Sequence, residues 1–426
     1  MIKSLSYPDK KTWLSKLARP EADSKEIEKT VKAILKNVKE KGDKAIKKYT
    51  EEFDGVKLKS LLVTREEIKE AESQVSKELK EAIDIAASNI EKFHRAQIIP
   101  PLEMETLPGV KCMRRSVPIE KVGLYIPGGT APLFSTVLML GIPANIAGCD
   151  EIILCTPCNK SGEINPVILY TADKIGIDKI IKVGGAQAIG AMAFGTKSIP
   201  KVHKIFGPGN RYVTVAKQLA SKEGVAIDMP AGPSELLIYA DETCVPAFVA
   251  ADLLSQAEHG PDSQVVLVSL NQEVINAVKD EIDLQVEMLP RKSIALKALD
   301  NSCLVLMKTQ EEAIRLINSY APEHLILAVK DFEKVSERIT NAGSVFLGNY
   351  SPESAGDYAS GTNHTLPTFG YAKAYSGVSL DSFNKKITYQ HITKEGMKNL
   401  GPTIEIMAEA EGLFAHKNAV TLRLKS

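Results

Sequence analysis

The sequence predicts an α/β protein with two Rossmann-like parallel-sheet domains and a helical N-terminal segment. Three observations carry this expectation. From about Val117, short apolar runs alternate with helical stretches, the pattern of βαβ units. Those runs fall into two series that meet near Pro230-Ala-Gly-Pro-Ser234. The first hundred residues instead carry apolar side chains at helical spacing among many Lys and Glu. At 426 residues the chain is long for one core, so two or three domains are expected.

In chain order, residues 1 to about 110 read as charged amphipathic helices. Ile27, Val31, Ile34, Leu35 and Val38 recur on one helix, and a second spans roughly Arg65 to Ala96 through Ile68, Leu79, Ile83, Ile85 and Ile90. The first strand series is Val122–Ile126, Ile152–Leu154, Ile180–Val183 and Lys204–Phe206. Helical stretches lie around 135–145, 167–175, 188–194 and 212–220. The second series is Leu236–Tyr239, Val265–Val268, Leu304–Met307, Leu325–Val329 and Ser344–Leu347. The last fifty residues show no strand series and read as a tail packed elsewhere. The expected division is 1–115, 116–235, 236–375 and 376–426.

Composition narrows the function. Lys plus Arg and Asp plus Glu both number 53, so no basic excess points to nucleic acid as a partner. No apolar run approaches the roughly 20 residues of a membrane helix. The opening Met-Ile-Lys-Ser-Leu-Ser-Tyr-Pro lacks an apolar signal core, and a cytoplasmic location is expected. Six dispersed cysteines do not form a disulfide framework. Cys155-Thr-Pro-Cys158 follows a strand-like run; two inert thiols at a strand end are favoured over a redox pair, and zinc would need a second Cys-x-x-Cys.

Three glycine turns follow strands in the first series: Ile126-Pro-Gly-Gly-Thr130, Gly184-Gly-Ala-Gln-Ala-Ile-Gly190 and Gly207-Pro-Gly-Asn-Arg-Tyr212. The Gly-x-Gly-x-x-Gly fingerprint is absent, because Tyr212 stands where its third glycine belongs. Each turn alone is best read as a tight βα connection. Three at successive strand ends shift the balance modestly towards a ligand at that rim, and the residues alone leave the matter open.

Four polar clusters occupy the C-terminal half. An apolar helix beginning at Pro246 carries Gln256 and His259, roughly one turn apart, up to the stop signal Gly260-Pro261. Glu323 and His324 open a strand-like run. Asp357 and His364 bracket a Gly/Ser/Asn-rich loop. Glu411 and His416 lie near the C-terminus; on one straight helix they would be about 140° apart, and Gly412 offers a break. These clusters hold four of seven histidines. Singly, each residue has a plainer reading as a cap, turn or surface group.

Together the segments resemble the L-histidinol dehydrogenase family. The likeness rests on Leu253-Leu-Ser-Gln-Ala-Glu-His-Gly-Pro-Asp-Ser-Gln264, Ala321-Pro-Glu-His-Leu325, Gly361-Thr-Asn-His-Thr-Leu-Pro-Thr368 and Glu411-Gly-Leu-Phe-Ala-His416. Val122-Gly-Leu-Tyr-Ile-Pro-Gly-Gly129, Phe206-Gly-Pro-Gly-Asn210 and Asp228-Met-Pro-Ala-Gly-Pro-Ser-Glu235 extend it in family order. The resemblance implies a zinc-dependent, NAD-linked, four-electron oxidation of L-histidinol through an aldehyde to L-histidine. It implies zinc ligands at Gln256, His259, Asp357 and His416 and a catalytic pair at Glu323 and His324. Implied substrate contacts are Ser234, His364 and Glu411 together with the metal ligands and His324. Implied NAD contacts are Tyr125, Gln187 and Asn210. It also implies a homodimer that exchanges its C-terminal tail, so that His416 completes the partner's site rather than its own.

The residue types suit that chemistry. Imidazole nitrogen with amide and carboxylate oxygen accommodates Zn²⁺, and Mn²⁺ or Co²⁺ as well. His324 is a candidate base for the hydroxyl proton, and Glu323 for activating water on the aldehyde. Two alternatives stand beside this reading: a paralogous zinc and NAD dehydrogenase of another small polyol or sulfonate alcohol, and a metal-binding scaffold without catalysis. Ser234, His364 and Glu411 argue against the first, and the Glu323-His324 pair against the second.

Overall fold

The computed structural model describes residues 2–20, 24–128, 132–230 and 232–426. Two parallel sheets form its frame. The first runs in the order Lys179–Lys182, Glu151–Thr156, Lys121–Tyr125, Lys204–Phe206 and Ala226–Ile227. Numbered within that series the order is 3-2-1-4-5, the doubly wound arrangement expected of a Rossmann-like unit. The second sheet repeats it with Cys303–Leu306, Gln264–Ser269, Glu235–Ala240, His324–Ala328 and Ser344–Leu347. Its central strands are buried along their whole length, which is why they read as unbroken apolar runs.

The N-terminal segment is not purely helical. Lys3–Ser6 adds a sixth, parallel strand to the second sheet, pairing Leu5 with Val305. Lys3-Ser-Leu-Ser is too short and polar to announce a strand; pairing to an open edge creates it. The expected long helix is also broken, into Arg65–Gln74 and Lys77–Arg95. Val75 is extended and the Ser76 hydroxyl caps the second helix by accepting from the Leu79 N–H at 3.2 Å. Val31, Ile34, Leu35 and Val38 are buried, as their spacing required, in the core of the first sheet.

The tail also departs from expectation. Asn384–Ile392 is a strand, pairing antiparallel with Val110–Pro118, which pairs in turn with Leu102–Leu107. These strands are largely exposed, so they lack the apolar pattern that a buried strand imposes. The C-terminal helices Lys394–Ala410 and Phe414–Lys425 pack on each other, and the first of them on this small sheet. Ile406, Met407, Leu413, Phe414 and Leu422 remain exposed there. No helix among the described residues is long and apolar enough to cross a membrane.

The direction of the strands places the functional residues. In the first sheet Tyr125, Thr156 and the turn at Gly207 lie at carboxyl ends. In the second, Glu235 and His324 each open their strands at the amino edge. The helix Pro246–Ala257, returning between two parallel strands, brings its own C-terminal end to that same edge.

Candidate active site

His324 is the hub of the polar cluster. It is buried, and its Nδ1 lies 3.2 Å from the backbone carbonyl of Glu235. Glu323 Oε2 is 3.8 Å and Glu353 Oε1 3.7 Å from the same nitrogen. On the other side of the ring, Nε2 is 3.7 Å from Asp357 Oδ1 and makes no hydrogen bond among the described residues. Glu323 Oε2 accepts the Glu235 N–H at 2.8 Å. One residue's backbone therefore positions both members of the pair. The side chain of Glu235 is in turn held by Arg19 and by the Phe369 N–H at 2.7 Å. Arg19 also donates to the Tyr320 carbonyl at 2.9 Å and lies 4.0 Å over its ring. Ala321, at φ 54°, is a non-glycine residue in the left-handed region just before Pro322-Glu323. Such a conformation persists only where the surroundings enforce it.

The titration of this cluster follows from its charges. Burial opposes a charge on His324, but Glu353, Glu323 and Asp357 outweigh it and push the ring up to about 10. Burial pushes Glu323 up to about 8, against the attraction of His324 and the Glu235 N–H. Burial also drives Glu353 well above the usual carboxylate range, while His324 holds Asp357 below it in spite of its own burial.

His259, at the end of its helix, presents Nε2 4.0 Å from Asp357 Oδ2, with its side chain 44% exposed. His259, Glu353 and Asp357 each offer a ligand atom within 4.8 Å of the others. Ligands at about 2.0–2.2 Å from one Zn²⁺ lie roughly 3–4.4 Å apart, so these donors would close slightly around a divalent cation. Gln256 is buried, and its amide group lies against both Glu353 and His324 Nδ1. His364 joins the two sheets: Nδ1 meets the Asp357 carbonyl at 2.8 Å and Nε2 the Thr136 hydroxyl at 3.1 Å. Ser234 is half-buried at the entry to strand Glu235–Ala240. Its carbonyl accepts from the Gln264 N–H at 3.2 Å.

Glu411 and His416 stand apart. Both are exposed on the C-terminal helix pair, with no hydrogen bond or ion pair to the cluster among the described residues. Two residues enter that the sequence reading did not single out. Glu353 precedes Asp357 by one helical turn in Glu353–Tyr358, and that i, i+4 pair of carboxylates after Pro352 was its available signal. Glu235 reads only as the start of an apolar strand.

A cavity of about 1000 Å³ opens at the carboxyl edge of the first sheet. Tyr125, Gln187 and Asn210 all line it, with the Gly184-Gly185 turn. The buried Tyr125 hydroxyl accepts the Gly185 N–H at 3.0 Å, and burial pushes its phenol up to about 12. Asn210 caps the helix Arg211–Lys222, accepting from Tyr212 and Val213. Gly207 is fixed on both sides: its N–H donates to Asp228 at 2.8 Å and its carbonyl accepts from Lys217 at 2.9 Å. Lys217 and Asp228 are themselves a buried ion pair. In the third glycine turn, Gly129 and Thr130 lie outside the described residues, as does Ala231 of the Asp228–Glu235 segment. Cys155 is buried, and burial raises both it and Cys158.

Comparison with known proteins decides the family. The family model described as histidinol dehydrogenase matches residues 17–424. The chain belongs to the histidinol dehydrogenase family. A histidinol dehydrogenase from Bacteroides thetaiotaomicron is 58% identical over 426 residues, covering 100% of both chains. The chloroplastic histidinol dehydrogenase of Arabidopsis thaliana is 55% identical over 411 residues, covering 96% of this chain and 88% of that one. The crystal structure of histidinol dehydrogenase from Elizabethkingia anophelis superimposes with a TM-score of 0.98 at 56% identity, covering 100% of this chain and 98% of that one. Membership of the histidinol dehydrogenase family makes the chain one of the NAD-dependent oxidoreductases of histidine biosynthesis.

Proposed function

We propose that this chain oxidises L-histidinol through L-histidinal to L-histidine with two NAD, using the cluster around His324. The observation that carries the reading is the convergence of Gln256, His259, Glu323, His324, Asp357 and His364 beside the junction of the two sheets. Family membership supports the substrate, and the donor chemistry supports the metal. Zinc held by Gln256, His259 and Asp357, with His416 supplied by a second copy, would give a positive template for the substrate's amine and imidazole nitrogens and offset the carboxylate charge.

His324 takes the proton of the substrate hydroxyl as hydride leaves for NAD. Its Nε2, without a hydrogen bond among the described residues, faces away from the Glu235 carbonyl towards Asp357. Glu323 then takes a proton from water as it adds to the aldehyde, giving the hydrate from which the second hydride leaves. A carboxyl held at about 8 can accept and return a proton close to working pH. His364 and Ser234 contact the substrate from the cluster, and Glu411 does so from the exchanged tail. The exposed apolar side chains around Phe414 support a homodimer in which that tail is covered. Tyr125, Gln187 and Asn210 hold NAD in the cavity of the first sheet, and the chain works in the cytoplasm.

NADH yield per histidinol, measured with metal content, tests the proposal. Two NADH per histidinol with about one zinc per chain is expected; no NADH from histidinol, with turnover of another alcohol, would overturn it.

A further inference from the structure

Glu353 is a buried acid to which the reaction above gives no task. Its side chain is 2% exposed. It opens the helix Glu353–Tyr358, which packs against the helix Pro246–Ala257 that carries Gln256. Gly356 permits this close seat, because a Cβ added there would lie 2.8 Å from the Phe346 ring. His324 Nδ1, at 3.7 Å, is beyond hydrogen-bond reach of Glu353. Its hydrogen goes instead to the Glu235 carbonyl, which can only accept. The polar group in contact with Glu353 is the side-chain amide of Gln256. One terminal atom of that amide meets Glu353 Oε1 and lies 3.3 Å from Oε2.

Elementary chemistry decides which atom it is. The two ends of an amide are alike in shape and are told apart by their hydrogen-bond partners. The oxygen only accepts and the NH₂ only donates. With its oxygen turned to Glu353, Gln256 would set an acceptor against two carboxyl oxygens. With its nitrogen there, it donates to them, and a carboxyl keeps an accepting oxygen in either protonation state. The nitrogen of Gln256 therefore faces Glu353, and its oxygen takes the opposite side of the amide. A metal ion binds a glutamine through that oxygen, since the NH₂ has no lone pair to give. Partners behind a metal ligand commonly fix its orientation in this way, as they fix the tautomer of a ligating histidine.

We propose that Glu353 is a positioning residue of the metal site: by accepting from the Gln256 side-chain nitrogen, it presents the Gln256 oxygen as a ligand. The inference rests on reading Gln256 as a metal ligand.

Zinc affinity, measured by chelator competition without substrate or NAD, tests it. Glu353→Met keeps much of the volume and removes the acceptor. It should weaken zinc by about ten- to a hundredfold, the usual loss when a partner behind a ligand is removed. Glu353→Gln, whose carbonyl oxygen can still accept from Gln256, should recover most of that loss. Glu353→Asp keeps the charge but draws it back by one methylene, and should bind zinc nearly as weakly as Glu353→Met. Gln256→Ala should itself weaken zinc by about tenfold or more. Adding Glu353→Met to Gln256→Ala should cost nothing further, because the effect of Glu353 passes through Gln256. A full additional loss in that double variant would make Glu353 a ligand in its own right and overturn the proposal. Glu353→Gln as weak as Glu353→Met, with Glu353→Asp unimpaired, would leave Glu353 only its charge and overturn it as well. Unchanged zinc affinity in Gln256→Ala would instead overturn the parent reading of Gln256 as a ligand, and this proposal with it.

Discussion

Replacing Glu323 by Gln separates its chemistry from its structural role. Glu323 Oε2 accepts the Glu235 N–H at 2.8 Å, and a glutamine carbonyl oxygen can accept the same bond. Burial raises this carboxyl from 4.5 to about 8, so the folded chain binds its proton more tightly than the unfolded chain does. The associated stability is full below about pH 4.5 and is lost as pH rises through 8. An amide carries no such loss, and at most about 5 kcal/mol at alkaline pH is removed with the carboxylate. Glu323→Gln should therefore melt no lower than the unaltered chain at pH 8. Its activity should divide by half-reaction. Loss of a positioned base slows a step by about 10²–10⁴, and that loss should fall on oxidation of histidinal, with oxidation of histidinol reduced by about tenfold or less. Rapid-mixing NADH traces should then show one NADH per histidinol in the fast phase, with aldehyde that hydroxylamine can trap. Equal losses with histidinol and histidinal as starting substrates would refute the assignment of water activation to Glu323.

Other expectations follow from the same geometry. Burial alone pushes Asp252 from 3.8 up to about 7, so its stabilising contribution is full below about pH 4 and is lost as pH rises through 7. Asp252→Asn should accordingly gain stability at pH 8, by at most about 4 kcal/mol, and nothing at pH 3; denaturant unfolding at both values checks this. Gly207 has φ 125°, and an added Cβ would lie 2.0 Å from the Tyr125 carbonyl oxygen. Gly207→Ala should destabilise by about 3 kcal/mol or more and weaken NADH binding, read by melting temperature and fluorescence titration. His416→Asn and His259→Asn should each lose zinc, and mixing them in equal amounts should restore about a quarter of the sites, the share set by random pairing of a tail exchanged between two chains. Metal analysis without recovery on mixing would place His416 in its own subunit's site.

The sequence reveals most where burial is complete. Strands such as Glu235–Ala240 and Gln264–Ser269 are covered on both faces and so must be apolar throughout. Lys3–Ser6 and the antiparallel strands 102–107, 110–118 and 384–392 are defined by partners instead. Leu5 opposes Val305, and Tyr389 opposes Met113. No window of local sequence contains either pairing, and the exposure of the small sheet removes the alternation that would have signalled it. Ser76 could have been read as a break, because a hydroxyl before Lys-Glu-Leu is a cap signature; the apolar period running through it concealed the cap.

The cluster around His324 divides in a similar way. Gln256, His259, Glu323, Asp357 and His364 were visible because their residue types are unusual beside helix stops, prolines and glycines. Glu353 and Glu235 were not, because their importance arises from charge that accumulates only in space. Three carboxylates surround one buried imidazole, Glu323, Glu353 and Asp357, and the Glu235 backbone holds it. Arg19, 216 residues away in sequence, balances Glu235. Glu353, Glu323 and Asp357 lie against the His324 ring, and their field is what raises it to about 10. A histidine meant to accept a proton near neutral pH cannot do so against that field unless cations share it. The crowding of these acids on one imidazole supports a cation in the site, an argument that motif spacing could not supply.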